Sequence, residues 1–191
     1  MEGHAGGSPP GSSARGVTGP TGDASHQRHR TEAERLGPLR IALVTISDTR
    51  TAETDLSGRF LEEQVRADGH QVLTYRVVPD EPSLIDQTLS ELLASAAQVI
   101  LINGGTGISS RDGTFEVVQR RMEKILPGFG ELFRMLSFQE VGPAAMLSRA
   151  TAGLCSGRIV VSLPGSPAAV RLAWEQLLRP ELRHLVREAT R

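Results

Sequence analysis

The stretch Gly104-Gly105-Thr106-Gly107, with Arg111-Asp112 close behind, carries the strongest chemical signal in the chain. An unbroken aliphatic run, Val99-Ile100-Leu101-Ile102, leads into it and predicts a strand buried on both faces, as in a parallel sheet. Glycines at its end let the backbone turn through positive φ and let another group approach bare amides. Amides presented at the carboxyl end of a buried strand favour anions. A P-loop is excluded, because Lys124 is the chain's single lysine and stands too far along. The dinucleotide fingerprint is also absent: Gly105-x-Gly107 is followed by Ser110, after the third predicted strand. A glycine-rich turn alone would explain the glycines, but a plain turn does not require Arg111 and Asp112.

Other predicted strand ends carry polar groups that a doubly wound sheet would gather at one rim. They are Ser47-Asp48-Thr49, Asp80-Glu81, Ser148-Arg149 and Pro164-Gly165-Ser166-Pro167. Amides and arginines suit phosphates, and aspartates suit Mg²⁺, which takes a few carboxylates plus substrate oxygens. That set of groups fits phosphoryl or nucleotidyl transfer. Each residue also has a local reading: Asp48 and Asp80 as turn residues, Arg149 as a surface arginine. Nucleophilic catalysis finds little support, since Cys155 sits in a predicted hairpin with no histidine nearby and reads as a small core residue.

The elements that position these groups follow a regular order. Leu39 to Ile46 predicts a first strand and Gln71 to Val78 a second, halted by Pro79. Between them Asp55 or Ser57 caps a helix carrying Phe60, Leu61 and Val65, closed by Gly69. Pro82 opens a second helix with Ile85, Leu89 and Leu92 inward, and the glycine-ended strand follows. Strand, helix, strand, helix, strand is the doubly wound α/β signature. Thr114 is expected to cap a short helix that Pro127-Gly128 ends, and Glu131 to Phe138 and Pro143 to Leu147 read as further helical pieces. Thr151 to Leu154 and Arg158 to Ser162 predict a hairpin at one sheet edge, joined at Ser156-Gly157. A last helix buries Trp174, with Pro180 kinking or restarting it and Arg179 pushed away from the αR region.

Composition sets the outer limits. The 191 residues suit one domain plus a tail, and a net charge of -1 gives no basic field for nucleic acid. One cysteine allows no internal disulfide, and no apolar run reaches membrane-span length, so a cytoplasmic setting is expected. Residues 1–37 hold almost no large aliphatics and are expected to be disordered, with His4, His26 and His29 solvated; the folded domain is expected over 38–191.

From Arg40 to about Leu185 the chain resembles the molybdopterin-binding family of molybdenum cofactor biosynthesis, in its protein B and molybdopterin adenylyltransferase branches. The motifs that carry the likeness include Ile46-Ser47-Asp48-Thr49, Ser57-Gly58, Val78-Pro79-Asp80-Glu81, Gly104 to Gly107 and Arg111-Asp112. Further on come Pro127 to Glu131, Leu147-Ser148-Arg149-Ala150 and Leu163 to Pro167, while Phe133 to Phe138 and Ala173-Trp174-Glu175 point to the protein B branch. The resemblance implies a three-layer α/β/α domain with a mainly parallel sheet and a hairpin edge. It also implies adenylylation of the molybdopterin terminal phosphate by Mg-ATP, with pyrophosphate released. By position, Gly104, Gly105, Thr106, Gly107 and Ser148 would hold phosphates, and Arg111 would bind substrate. Asp80 and Asp112 would hold Mg²⁺ and act catalytically, while Ser47, Pro164, Gly165 and Ser166 would line the pocket. A homo-oligomer (trimer or hexamer) and contacts with other proteins of cofactor synthesis are implied too. Two departures stand out: Gly113-Thr114-Phe115 where the family often has Val-Thr-Pro, and Ser166 where adenylyltransferases usually have Asn or Gln. A carrier that binds the pterin without catalysis is the alternative reading.

Overall fold

The computed structural model describes residues 36–109 and 112–191. The expected disorder of the N-terminal tail therefore falls largely outside the described residues, as does the site assignment for Arg111. Six strands form one sheet: β1 (Arg40–Ile46), β2 (Gln71–Val78), β3 (Val99–Asn103), β4 (Lys124–Ile125), β5 (Thr151–Cys155) and β6 (Arg158–Leu163), in the order β2-β1-β3-β6-β5-β4. β2, β1, β3 and β6 run parallel, while β5 and β4 are antiparallel to their neighbours. Every residue of β3 is buried, as expected of the strand at the centre.

Side-chain alternation along the central strands feeds two apolar cores. Ile41, Leu43, Val99, Leu101, Val161 and Leu163 face one side. Ala42, Val44, Ile100, Ile102 and Val160 face the other. Helices α1 (Leu56–Ala67), α4 (Pro127–Val141), α5 (Pro167–Ala173) and α6 (Arg179–Ala189) cover the first side, and α2 (Pro82–Leu93) with α3 (Thr114–Arg121) covers the second. The result is the expected three-layer α/β/α domain. Asp55 caps α1, its carboxylate accepting the Ser57 N–H at 3.2 Å, and Pro82 occupies the first turn of α2.

Four local expectations are revised. The hairpin β5–β6 does form across Ser156-Gly157, but the two-residue strand β4 lies outside it, so the hairpin is not the sheet edge. Pro127 does not break α3, which ends at Arg121 ahead of β4; it opens α4, where the missing N–H costs nothing in a first turn. Gly113, not Thr114, is the N-cap of α3: Thr114 is the first helical residue and is buried, and its N–H ties the helix start to Gly105 O at 3.1 Å. Arg179 stays in the αR region although it precedes proline. A π-helical turn over Trp174–Leu178 widens the helix there, the Arg179 N–H reaching five residues back to Trp174 O. The chain thus passes Pro180 without breaking, and Trp174 is fully buried as expected.

Candidate functional site

The parallel strands deliver their carboxyl ends to one rim, and there a cavity of about 530 Å³ opens. Ser47 from the end of β1, Gly104 to Gly107 from β3, Ser148 before β5 and Pro164 to Ser166 from β6 all line it. Nine of the positions singled out in the sequence therefore meet in one place. The glycine loop owes its shape to two successive left-handed residues, Gly104 at φ 99° and Gly105 at φ 62°. A Cβ on Gly104 would overlap Ile46 O, and one on Gly105 would overlap Thr114 Oγ1. Only glycine fits either position. The loop is tied at its base by the Gly104 N–H donating to Leu163 O at 3.0 Å. Among the described residues, the amides of Gly105, Thr106 and Gly107 donate to no backbone carbonyl, and all three residues line the cavity.

The neighbouring loops are fixed locally. Ser47 Oγ accepts the N–H groups of Thr49 (3.3 Å) and Arg50 (3.2 Å), so it shapes its own turn. Ser166 caps α5 by accepting the Ala169 N–H at 3.3 Å, which explains a small hydroxyl residue at that position. Gly165 lies against the glycine loop, since a Cβ on it would stand 3.1 Å from Gly104 Cα.

Asp80 and Asp112 do not line the cavity; they press against the glycine loop itself. A Cβ on Gly105 would stand 2.9 Å from both Asp80 carboxylate oxygens, and one on Gly107 would stand 2.6 Å from Asp112 Oδ2. Both residues are half-buried. The Asp80 N–H donates to Asp48 Oδ1 at 3.0 Å, joining the loops after β1 and β2. Asp112 Oδ2 accepts the Ser109 N–H at 2.9 Å. Asp80 and Asp112 thus flank the loop at Gly105 and Gly107, and they are the carboxylates there that could hold a Mg²⁺ together with substrate oxygens. Among the described residues no group of three or more His, Cys, Asp or Glu side chains is placed to hold a metal ion.

Several residues escaped the sequence reading. Among the described residues, Arg50 is the one Lys, Arg or His side chain lining the cavity. Its guanidinium donates to Gly165 O at 3.0 Å and lies 3.6 Å from the fully buried Asp55. Asp55 also receives the Tyr75 phenol, and Ser57 Oγ donates to Gly165 O at 2.8 Å. The only sequence hint was Ser57-Gly58: a Cβ on Gly58 would stand 2.6 Å from the Tyr75 ring. Phe133, Ser137 and Glu140 complete the wall from α4, at a distance in sequence that no local motif reports.

The comparisons with known proteins agree with this geometry. The family described as a probable molybdopterin binding domain matches residues 42–184. Molybdenum cofactor biosynthesis protein B of Halalkalibacterium halodurans is 49% identical over 167 residues, covering 86% of this chain and 96% of the relative. Its Bacillus subtilis counterpart is 45% identical over 166 residues, covering 86% and 96%. Among solved structures, the tungsten cofactor synthesizing protein MoaB from Pyrococcus furiosus superposes with a TM-score of 0.74 at 34% identity, over 81% of this chain and 98% of that one. A crystal structure of a molybdenum cofactor biosynthesis protein B gives 0.77 at 47% identity, over 80% and 96%. With the family's match spanning the sheet, the glycine loop and the cavity wall, the chain belongs to the molybdopterin-binding-domain family, among the relatives named molybdenum cofactor biosynthesis protein B.

Proposed function

We propose that this protein acts in molybdenum cofactor biosynthesis as a molybdopterin adenylyltransferase. The observation that carries the reading is the glycine loop: it lines the cavity with amides that meet no backbone carbonyl, while Asp80 and Asp112 press against the same loop. The amides of Gly105 to Gly107, with Ser148 beside them, suit a terminal phosphate. Phe133, Val141, Leu147 and Leu172 offer an apolar wall to a flat ring system.

In the proposed step an oxygen of the molybdopterin phosphate attacks the α-phosphorus of ATP. A new P–O–P bond forms, the bond between the α- and β-phosphates breaks, and pyrophosphate leaves with the electron pair. Two carboxylates beside phosphates would repel the substrate without a cation between them, so Asp80 and Asp112 are assigned to Mg²⁺. Bound there, the ion would neutralise charge developing on the transferring group. This chain's residues supply orientation: the amides fix the acceptor phosphate and Arg50 adds a positive charge to the cavity wall.

The same reading includes self-association. Leu132, Met135, Phe138 and Val141 recur at three-residue spacing on α4 and are exposed, as are Met146 and Leu147 in the turn that follows. An apolar stripe of this size beside a binding cavity suits a second copy of the chain.

The test is whether purified protein releases pyrophosphate from Mg-ATP when molybdopterin is supplied, and not without it. Pterin binding with no pyrophosphate release would leave the carrier reading in its place.

A further inference from the structure

Arg149 reaches the glycine loop from 42 residues away in sequence. Its Nε donates to Thr106 O at 2.9 Å, and one terminal nitrogen donates to Gly107 O and, at 3.4 Å, to Asp112 O. The other terminal nitrogen pairs with Glu116, and the guanidinium lies 4.9 Å from the centre of the Phe115 ring. Arg149 does not line the main cavity. It lines a separate hollow of about 260 Å³ that shares only Ser148 with that cavity.

We propose that Arg149 is a positioning residue that orients the glycine-loop amides for an anion; this rests on the phosphate-binding reading of the loop. No peptide bond among the described residues is cis. In a trans peptide the N–H points opposite to the C=O of the same plane. Drawing Thr106 O and Gly107 O toward the guanidinium turns the Gly107 and Ile108 N–H groups away from it. Thr106 and Gly107 both line the cavity and Arg149 does not, so in this proposal the Gly107 N–H lies on the cavity side. A cation on the carbonyls also polarises those peptides and strengthens their N–H groups as donors. The same guanidinium joins the Gly107 carbonyl to the Asp112 backbone carbonyl, which ties the backbone of the residue assigned to Mg²⁺ to the loop. A flat fork with five donors can serve these carbonyls and Glu116 at once. Lysine, with one compact ammonium, cannot span them.

The test titrates ¹⁵N-labelled protein with inorganic pyrophosphate and follows the amide resonances of Gly105, Thr106, Gly107 and Ile108. In the wild type these should shift saturably. In R149A and R149K the pyrophosphate Kd should rise roughly ten- to a hundredfold while other resonances stay dispersed and in place. Ethylguanidinium added to R149A should restore part of the affinity, which a loss of packing would not allow. If R149A does not fold, R149K answers alone. Wild-type affinity in R149K, or no pyrophosphate response at the wild-type loop amides, overturns the inference. A loop that binds pyrophosphate in an Arg149-dependent way, in a protein that releases none from ATP with molybdopterin, supports Arg149 and removes only the adenylyl-transfer reading.

Discussion

The Tyr75 phenol donates a 2.7 Å hydrogen bond to Asp55, whose carboxylate also caps α1 and stands beside Arg50 on the cavity wall. Burial, and then the Asp55 carboxylate, push the Tyr75 pKa well above its ordinary value. A phenol in the unfolded chain ionises near pH 10, before the folded one. Its contribution to stability is therefore complete below about pH 10 and is lost as pH rises above that. Urea unfolding of wild type and Y75F at pH 7 and pH 11 checks this. At pH 7, Y75F should cost about 1–3 kcal/mol by leaving a buried acceptor unmet. At pH 11 the gap should narrow; a gap that widens would refute the linkage.

Cys155 is buried, and burial first, then the Glu123 charge, raises its thiol pKa to about 11. An unfolded thiol ionises near pH 8.5, so the alkaline loss of stability that begins there should vanish in C155A, while the Tyr75 component above about pH 10 persists. Native protein at pH 8 should also resist iodoacetamide until urea unfolds it, as read by mass spectrometry.

The two aspartates separate activity from stability. D80N and D112N keep shape and remove charge, so pyrophosphate release should fall about a hundredfold or more under saturating Mg-ATP. The melting temperature should move little, because neither carboxylate is fully buried. Wild-type turnover in both variants would remove the metal assignment.

Glycine replacements in the loop should grade by what a Cβ meets. In G104A it meets the Ile46 carbonyl, backbone that cannot step aside, at a left-handed φ. A cost of about 3 kcal/mol or more is expected from thermal unfolding. G69A, also at positive φ (76°) in the turn that ends α1 but with open space around it, should cost about 1 kcal/mol. Equal costs would mean that the close approach of β1 to the loop is not what demands glycine.

Light scattering tests the apolar stripe on α4. Wild type should run as a trimer or hexamer, and replacing both Met135 and Phe138 with Glu should yield monomer that still melts cooperatively. A wild-type monomer at all concentrations would end that reading.

The chain's local chemistry made the elements legible. Aliphatic runs gave β1 and β3, Pro82 and Asp55 marked helix starts, and glycines after β3 marked the loop, because each signal acts within a few residues. Errors came where a distant partner overrode the local preference. Thr114 looked like a cap, but its N–H is taken by Gly105 and its side chain is buried against the loop. Arg179 looked like a break, but a π-turn carried the helix through.

What the sequence determined by itself was the doubly wound order of strands and helices and the gathering of polar groups at strand ends, since both follow from periodicity and from parallel topology. What only the tertiary structure decided was which groups line the cavity and which stand beside it against the glycine loop. Asp80 and Asp112 lie against the loop and not on the cavity wall. Arg50 meets Gly165 across 115 residues, and Arg149 holds Thr106 across 43. Side-chain contacts at such separations leave no periodic trace in the chain, because they are set by how the helical layers dock on the sheet.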